Sequence, residues 1–463
     1  MKDHSHKNST QSNKPVHVPT VTRRLASGDL VELLFDRQAD RTGLVIGSGK
    51  GWRTVSSHTL GSGEVLVPYR PGNSLIRHGV VLLPERPEAL DTEKALLGEI
   101  QAFIRRYVAL TPDFELLAAY YILFTWVYDA FNEVPYLRIL GDYGTGKTRF
   151  LLVAGAVAMR PIFASGASTV SPIFHALDAF QGTLVIDEAD FRFSDEKSEI
   201  VKILNNGNVR GLPVLRTEVN AAKEFSPRAF SVFGPKIVAS RKPYDDDALE
   251  SRFLTERAGS AALRSDIPIN LPDTYRAEAQ ALRNKLLAYR FKTLGTAAIG
   301  PEALDAGSPR QAQILRPLLS IVGDEDHRAR LIEFATGSGN GARPQQPPVE
   351  KEVLAMLSEL IGTTETPHVT LQEIAEAFVD RHGNRYGAEP SPRWIGHILR
   401  KRLGLHPRKI QGVFAIAREE RPQVMDLCAK FEIAGPSDGV ELVWQPVNEP
   451  VPVQKDAMEV IAF

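Results

Sequence analysis

The sequence predicts an α/β protein built on a mostly parallel sheet with helices on both faces, preceded by a small N-terminal β domain and followed by a C-terminal winged helix. Three observations carry this. A phosphate-binding loop, YLRILGDYGTGKTRF over Tyr136–Phe150, sits between an apolar strand and an apolar helix. Short apolar strands then alternate with helical segments as far as Thr255, the pattern of a parallel sheet whose ligand lies at the carboxyl ends of the strands. After a glycine- and proline-rich linker, three helices are followed by a hairpin, the order of a winged helix-turn-helix.

Composition sets the limits. At 463 residues the chain has length for about three domains. Hydrophobic and charged shares of 43% and 24% are those of a globular protein. A formal net charge of -1 gives no global attraction to nucleic acid, so such binding has to come from local patches. The single cysteine, Cys428, excludes an internal disulfide and a cysteine zinc cage, and suits a reducing compartment. The longest apolar run, Leu116–Tyr128, is short of the roughly 20 residues needed to cross a bilayer and reads as a buried helix. With no cationic start, apolar stretch and cleavage site at the N-terminus, a cytoplasmic protein without membrane contact is expected.

Taken in order, residues 1–20 are a polar tail that cannot bury enough apolar surface to fold. Residues 21–88 form a small β-rich domain of short runs (VELLF, GLVIG, EVLVP, VVLLP) broken by GSGKG and GSG. GSGKG is a hairpin turn and not a second phosphate loop, because no buried helix follows Lys50. Residues 89–135 are a helical collar: one helix over Thr92–Tyr107 capped by Asp91, and a second from Phe114 to about Asn132. Residues 136–335 are the nucleotide core. Its strands are Tyr136–Leu140, Ile162–Ala164, Thr183–Ile186, Lys236–Ala239 and Phe253–Thr255. Its helices run from near Lys147 toward Arg160, over Pro172–Phe180 and over Glu196–Asn205, and a lid follows from Tyr275–Phe291 and Gln311–Ile321. Residues 336–348 are the linker, 349–435 the winged helix, and 436–463 a tail.

The loop Gly141–Thr148 wraps a polyphosphate with its backbone N–H groups, which runs through Asp142, Tyr143, Gly144, Thr145 and Gly146. Lys147 reaches the outer oxygens and the Thr148 hydroxyl ligates Mg²⁺. About forty residues on, the strand of TLVIDEAD ends in two carboxylates aimed at the same crevice. Asp187 is placed to hold Mg²⁺ through water, and Glu188 to polarise the attacking water. In ALESRF, Arg252 is either a guanidinium that reaches a γ-phosphate across a subunit interface or the partner of Asp245, Asp246 or Asp247 in its own chain. Ser240 would stand beside the carboxylates and orient water if the Lys236 strand inserts between the phosphate-loop strand and the Asp187 strand. Arg310 and Arg316 either close over the nucleotide or are solvated. Between the acidic strand and the Lys236 strand, NNGNVRGLPVLRTE carries Arg210 and Arg216, which either grip phosphate backbone in a ring pore or lie on a plain surface loop. In the C-terminal module Arg393, His397, Arg400 and Lys401 lie opposite the apolar Trp394, Ile395, Ile398 and Leu399, and Arg408 and Lys409 begin the wing. That face suits DNA phosphates, or a protein partner.

GDYGTGKT, TLVIDEAD and ALESRF, in that order, resemble the core of AAA+ ATPases, and the last resembles the arginine-finger box of minichromosome-maintenance helicases. The stretch from about Ile186 to Arg252 also resembles helicase-like ATPases of prophages and other mobile elements. The resemblance covers the central third to half of the chain. It implies ATP and Mg²⁺ at Gly141, Gly146, Lys147 and Thr148, hydrolysis by Asp187 and Glu188, Arg252 acting from a neighbouring subunit, and sensor roles for Ser240 and Arg310. Many such proteins carry asparagine where this chain has Ser240. A ring, six-membered, that translocates on or unwinds DNA is the implied function; the alternative is an ATP-switched regulator that binds DNA or protein without helicase activity.

Overall fold

The computed structural model describes residues 15–166, 168–187, 194–219, 225–244, 246–297, 309–337, 349–363, 368–383, 390–431 and 433. The chain divides into two compact units, Met1–Ala342 and Arg343–Phe463. None of the helices among the described residues is long and apolar enough to cross a membrane.

The first unit opens with seven strands: β1 (His17–Thr20), β2 (Thr22–Arg24), β3 (Leu30–Asp36), β4 (Arg41–Ser48), β5 (Gly51–Val55), β6 (His58–Thr59) and β7 (Val65–Pro68). They form a four-stranded sheet, β2-β3-β4-β5, and a three-stranded one, β1-β7-β6. Two expectations are corrected here. The last four residues of the expected tail are β1, held parallel to β7 with His17 opposite Val65. The run VVLLP is no strand; Val81 makes a single bridge to Ile162, which joins this module to the central sheet. Lys50 does lie in a tight turn, since β4 and β5 pair with Ser48 opposite Gly51.

A short helix α1 (Ser74–Arg77) leads to α2 (Glu93–Tyr107) and α3 (Pro112–Thr125). The cap of α2 is Thr92 and not Asp91: its side chain accepts from the amide of Ala95, at the reach of an N-cap oxygen. Helix α3 stops at Thr125, short of Asn132, and a single 3-10 turn follows. It is buried from Phe114 to Thr125, as a helix apolar all round must be.

The core follows as β8 (Tyr136–Leu140), α4 (Lys147–Val157), β9 (Ile162–Ser165), α5 (Val170–Phe180), β10 (Leu184–Asp187), α6 (Ser194–Asn206), β11 (Val214–Val219), β12 (Phe225–Phe230), β13 (Lys236–Ser240), α7 (Asp247–Glu250) and β14 (Phe253–Arg257). Five of these strands make one parallel sheet in the order β14-β8-β13-β10-β9. The late strand β13 inserts between β8 and β10, so the phosphate loop and the acidic strand end flank it. The segment between α6 and β13 is an antiparallel hairpin, Val214 opposite Phe230 and Val219 opposite Phe225. Helices α8 (Thr274–Thr293), α9 (Pro309–Leu319) and α10 (Glu325–Thr336) complete the unit.

The second unit holds α11 (Val349–Thr363), β15 (His368–Thr370), α12 (Leu371–His382), α13 (Pro392–Lys401), β16 (Arg408–Ile410), β17 (Val413–Ala417) and α14 (Arg421–Lys430). It has its own core, with Leu354, Leu357, Ile374, Phe378, Ile395, Leu399 and Cys428 buried together around a β15-β17-β16 sheet. Gln411 and Gly412 both take positive φ in the β16–β17 turn, the backbone a two-residue hairpin requires.

Candidate functional site

The buried strand β8 delivers the chain to the loop at its carboxyl end. Gly146 caps α4 at φ 86°, and Gly144 also lies at positive φ, the left-handed backbone that glycine takes without strain and that a phosphate-cradling turn requires. Gly141 has no room for a side chain, because a Cβ there would stand 2.7 Å from Thr145 Oγ1 and 2.8 Å from the Ala258 Cβ. Lys147 spans the loop, its ammonium donating to the carbonyl of Asp142 at 2.6 Å, and the Thr145 hydroxyl donates to the same carbonyl at 2.8 Å. Tyr143 is 91% exposed at the mouth.

The decisive contact is between loop and sheet. Thr148 Oγ1 donates to Asp187 Oδ2 at 2.6 Å, although the two lie 39 residues apart. Together with Tyr143–Thr148 and Arg241 they line a cavity of about 310 Å³. A hydroxyl and a carboxylate on one wall are the hard oxygen donors that Mg²⁺ takes, and the amides of the loop and the start of α4 are the groups that hold phosphate. Glu188 lies outside the described residues. Arg241 is a lining residue that the sequence patterns do not single out; its only signal is its place directly after Ser240.

Ser240 ends β13, opposite Leu140 in register, and its carbonyl accepts from the amide of Gly141. It is fully buried, and its hydroxyl has no hydrogen-bond partner among the described residues.

Arg252 stands elsewhere. Its carbonyl accepts from the amide of Tyr136, at the start of β8, five residues before the loop. At about 3.3 Å per residue this is roughly 17 Å from its own phosphate loop. It donates to the Asn205 side chain and, among the described residues, to neither Asp246 nor Asp247, while Asp245 lies outside the described residues; its Nε is buried without a partner. Burial, with the nearby guanidinium of Arg310, pulls its pKa below the usual arginine range. Arg310 donates to Ser251 Oγ at 2.7 Å, so it belongs to this end of the sheet and does not close over its own chain's nucleotide loop. Arg316 is exposed on α9. The ALESRF turn is tied to the sheet by an unforeseen pair: buried Arg138, inside β8, donates to both carboxylate oxygens of half-buried Glu250 at 2.5 and 2.6 Å.

The two arginines of the segment between β10 and β13 are occupied. Arg210 donates to the carbonyls of Asp129 and Phe131 at 2.9 and 3.0 Å and lies 4.7 Å over the ring of Phe233. Arg216 pairs with Glu199 and sits 4.1 Å over Phe174. Arg210 is nonetheless exposed, whereas Arg216 is half-buried. In the second unit Arg393, Arg400, Lys401, Arg408 and Lys409 are all exposed, and no ion pair among the described residues engages them.

The chain resembles AAA+ ATPases. The loop, the acidic strand end and the ESRF turn now stand on one sheet, the first two joined by a hydrogen bond. No family model matches the chain, and no curated protein matches it. Among solved structures, the apo form of the NrS-1 C-terminal region aligns at 11% identity over 84% of this chain and 96% of its own, with a TM-score of 0.33. A full-length MCM homolog from Methanopyrus kandleri aligns at 11% identity over 64% and 67%, TM-score 0.32. Cdc6p from Pyrobaculum aerophilum aligns at 14% identity over 75% and 96%, TM-score 0.20. None superposes closely enough to bear on this chain's chemistry.

Proposed function

We propose that the chain is a Mg²⁺-dependent ATPase of the AAA+ type that assembles into a six-membered ring and translocates on or unwinds DNA, as a replicative helicase of a mobile element. The observation that carries it is the 2.6 Å contact from Thr148 to Asp187 beside the Gly144–Gly146 loop. ATP phosphates would lie on the loop amides with Lys147 on the outer oxygens, and Thr148 and Asp187 would hold the Mg²⁺, which neutralises charge on the transferring phosphoryl group. Glu188 would polarise the attacking water and the Ser240 hydroxyl would orient it. Arg252, at the far end of β8 from its own loop, supports a ring in which it would reach a neighbour's phosphate; Arg310 beside it would act on that same neighbour. The helices after β14 would be the lid.

The second unit would be a winged helix, and its exposed Arg393, Arg400, Lys401, Arg408 and Lys409 the DNA contacts. That these cations lie in a unit with its own core favours a second reading, an ATP-switched protein that binds DNA or a partner through this unit without unwinding. ATP hydrolysis measured with and without single-stranded and duplex DNA, together with displacement from a forked substrate, tests the first reading. Absence of both DNA stimulation and strand displacement removes the helicase. Deleting the chain after Pro348 separates the two: a helicase keeps DNA-stimulated hydrolysis, whereas the switch loses its target.

A further inference from the structure

A second cavity, larger than the one at the phosphate loop, lies away from it. It measures about 870 Å³ and is bounded by the segment around residues 78–88, the face of α8, and Leu152 and Ala156 of α4. This is within the usual span for a small-molecule site, roughly 300–1,000 Å³. Its walls combine apolar side chains, among them Phe35, Leu152 and Phe163, with four arginines: Arg37, Arg86, Arg276 and Arg283.

Arg283 is the informative one. It is buried on α8, donates to the carbonyl of Ala156 and to Gln280, and leaves its Nε without a partner. Burial pulls its pKa down to about 10, and Arg37 nearby adds to the effect. Glu85, Glu88 and Asp273 also line the cavity. Yet none of the four arginines makes an ion pair among the described residues, and Arg37 and Arg276 are exposed toward solvent. Glu85 acts on Arg283 through space but forms no direct ion pair with it, so an anion in the cavity would add to the compensation of this buried cation. The walls themselves are held rigid: the Asn284 side chain accepts from the amides of Glu85 and Arg86, and Tyr275 donates to the carbonyl of Leu152.

We propose that this cavity binds a ring-bearing organic anion of nucleotide size, its acidic group against Arg37 and Arg276 above the buried charge of Arg283, and its ring against Phe35, Leu152 and Phe163. The site is separate from the phosphate loop and stands whether or not the chain hydrolyses ATP.

The test uses the full chain carrying Lys147→Ala, so that the phosphate loop contributes nothing, with 8-anilinonaphthalene-1-sulfonate as the fluorescent probe. Saturable binding is expected, with protection from hydrogen exchange in residues 79–88 and 274–284. Arg37→Gln with Arg276→Gln, two exposed positions whose loss leaves the fold intact, weakens binding roughly tenfold or more, the loss expected for charge-assisted contacts. Phenyl phosphate displaces the probe at a concentration at least about tenfold below inorganic phosphate, as the apolar wall requires. Unchanged affinity in the double variant, protection confined to other segments, or equal potency of the two phosphates overturns the proposal.

Discussion

At the scale of single residues, one contact carries the proposed chemistry. On that reading Thr148 and Asp187 would hold one Mg²⁺ between them across a strand–helix junction, so neither alone would suffice. Thr148→Ala and Asp187→Asn are each expected to lower ATP turnover roughly 100-fold, about 2.7 kcal/mol, while nucleotide still binds. Thr148→Ser, which keeps the hydroxyl, is expected to stay near the parent; turnover across a Mg²⁺ titration checks all three. Lys236 is a different case. It begins β13 fully buried, and its ammonium donates to the carbonyls of Val232 and Gly234 at 2.8 and 2.7 Å with no carboxylate in its hydrogen-bonding shell. Burial pulls its pKa down to about 7 from 10.5. The unfolded chain therefore binds the extra proton between these values, and stability rises with pH through that window, by up to about 1.4 kcal/mol per pH unit. Below about pH 7 this contribution is flat. Urea midpoints at pH 7, 8 and 9 are expected to climb in the parent relative to Lys236→Met, in which this slope is absent.

At the scale of elements, the basic face of α13 and the start of β16 carry the prediction. Arg400→Ala with Lys401→Ala is expected to weaken binding of duplex DNA and to reduce the slope of log affinity against log salt by about 0.9 for each phosphate left without its cation. Fluorescence anisotropy at several salt concentrations measures this, and an unchanged slope directs the unit toward a protein partner. Much at this scale was legible in the chain. The strand–loop–helix at Tyr136–Phe150, the acidic strand end and the alternation that builds the parallel sheet are local patterns, written in periodicity and glycine placement. What was not legible depends on long-range contact. The hairpin β11–β12 was not legible because one face carries Leu215 and Phe225, 70% and 81% exposed, while Arg216 and Arg228 lie over the rings of Phe174 and Phe230 on the other, the reverse of the usual patterning. Arg210 looked free because nothing nearby in sequence reveals that the carbonyls of Asp129 and Phe131 hold it. Arg138 inside an apolar strand was passed over for the same reason: Glu250, its partner, lies 112 residues away.

At the scale of the whole molecule, one buried carboxylate joins three parts of the first unit. Glu32 of β3 accepts from Arg160 at 2.7 Å and from Arg290 of α8 at 2.8 Å, and Arg290 also pairs with Asp129 at 2.7 Å. Burial opposes the charge of Arg290, yet these carboxylates hold its pKa above the usual arginine range. Glu32→Ala leaves the buried Arg160 without a carboxylate and Arg290 with Asp129 alone, and is expected to cost about 3–5 kcal/mol, with the β module and the nucleotide core still unfolding in one transition. A separate early transition for residues 21–88 in calorimetry would show that the module is independent. Arg252 and the phosphate loop stand at opposite ends of β8 within one compact unit. Lys147→Ala removes the loop function and Arg252→Ala removes the finger, and each variant alone is expected to be inactive, the finger by roughly a thousandfold or more. Co-expressed in equal amounts, they place an intact loop beside an intact finger at about a quarter of interfaces in a closed ring, and ATP turnover is expected to recover to about that share of the parent. Turnover no higher than either variant alone would remove Arg252 from the neighbour's site and with it the physical reason for a ring.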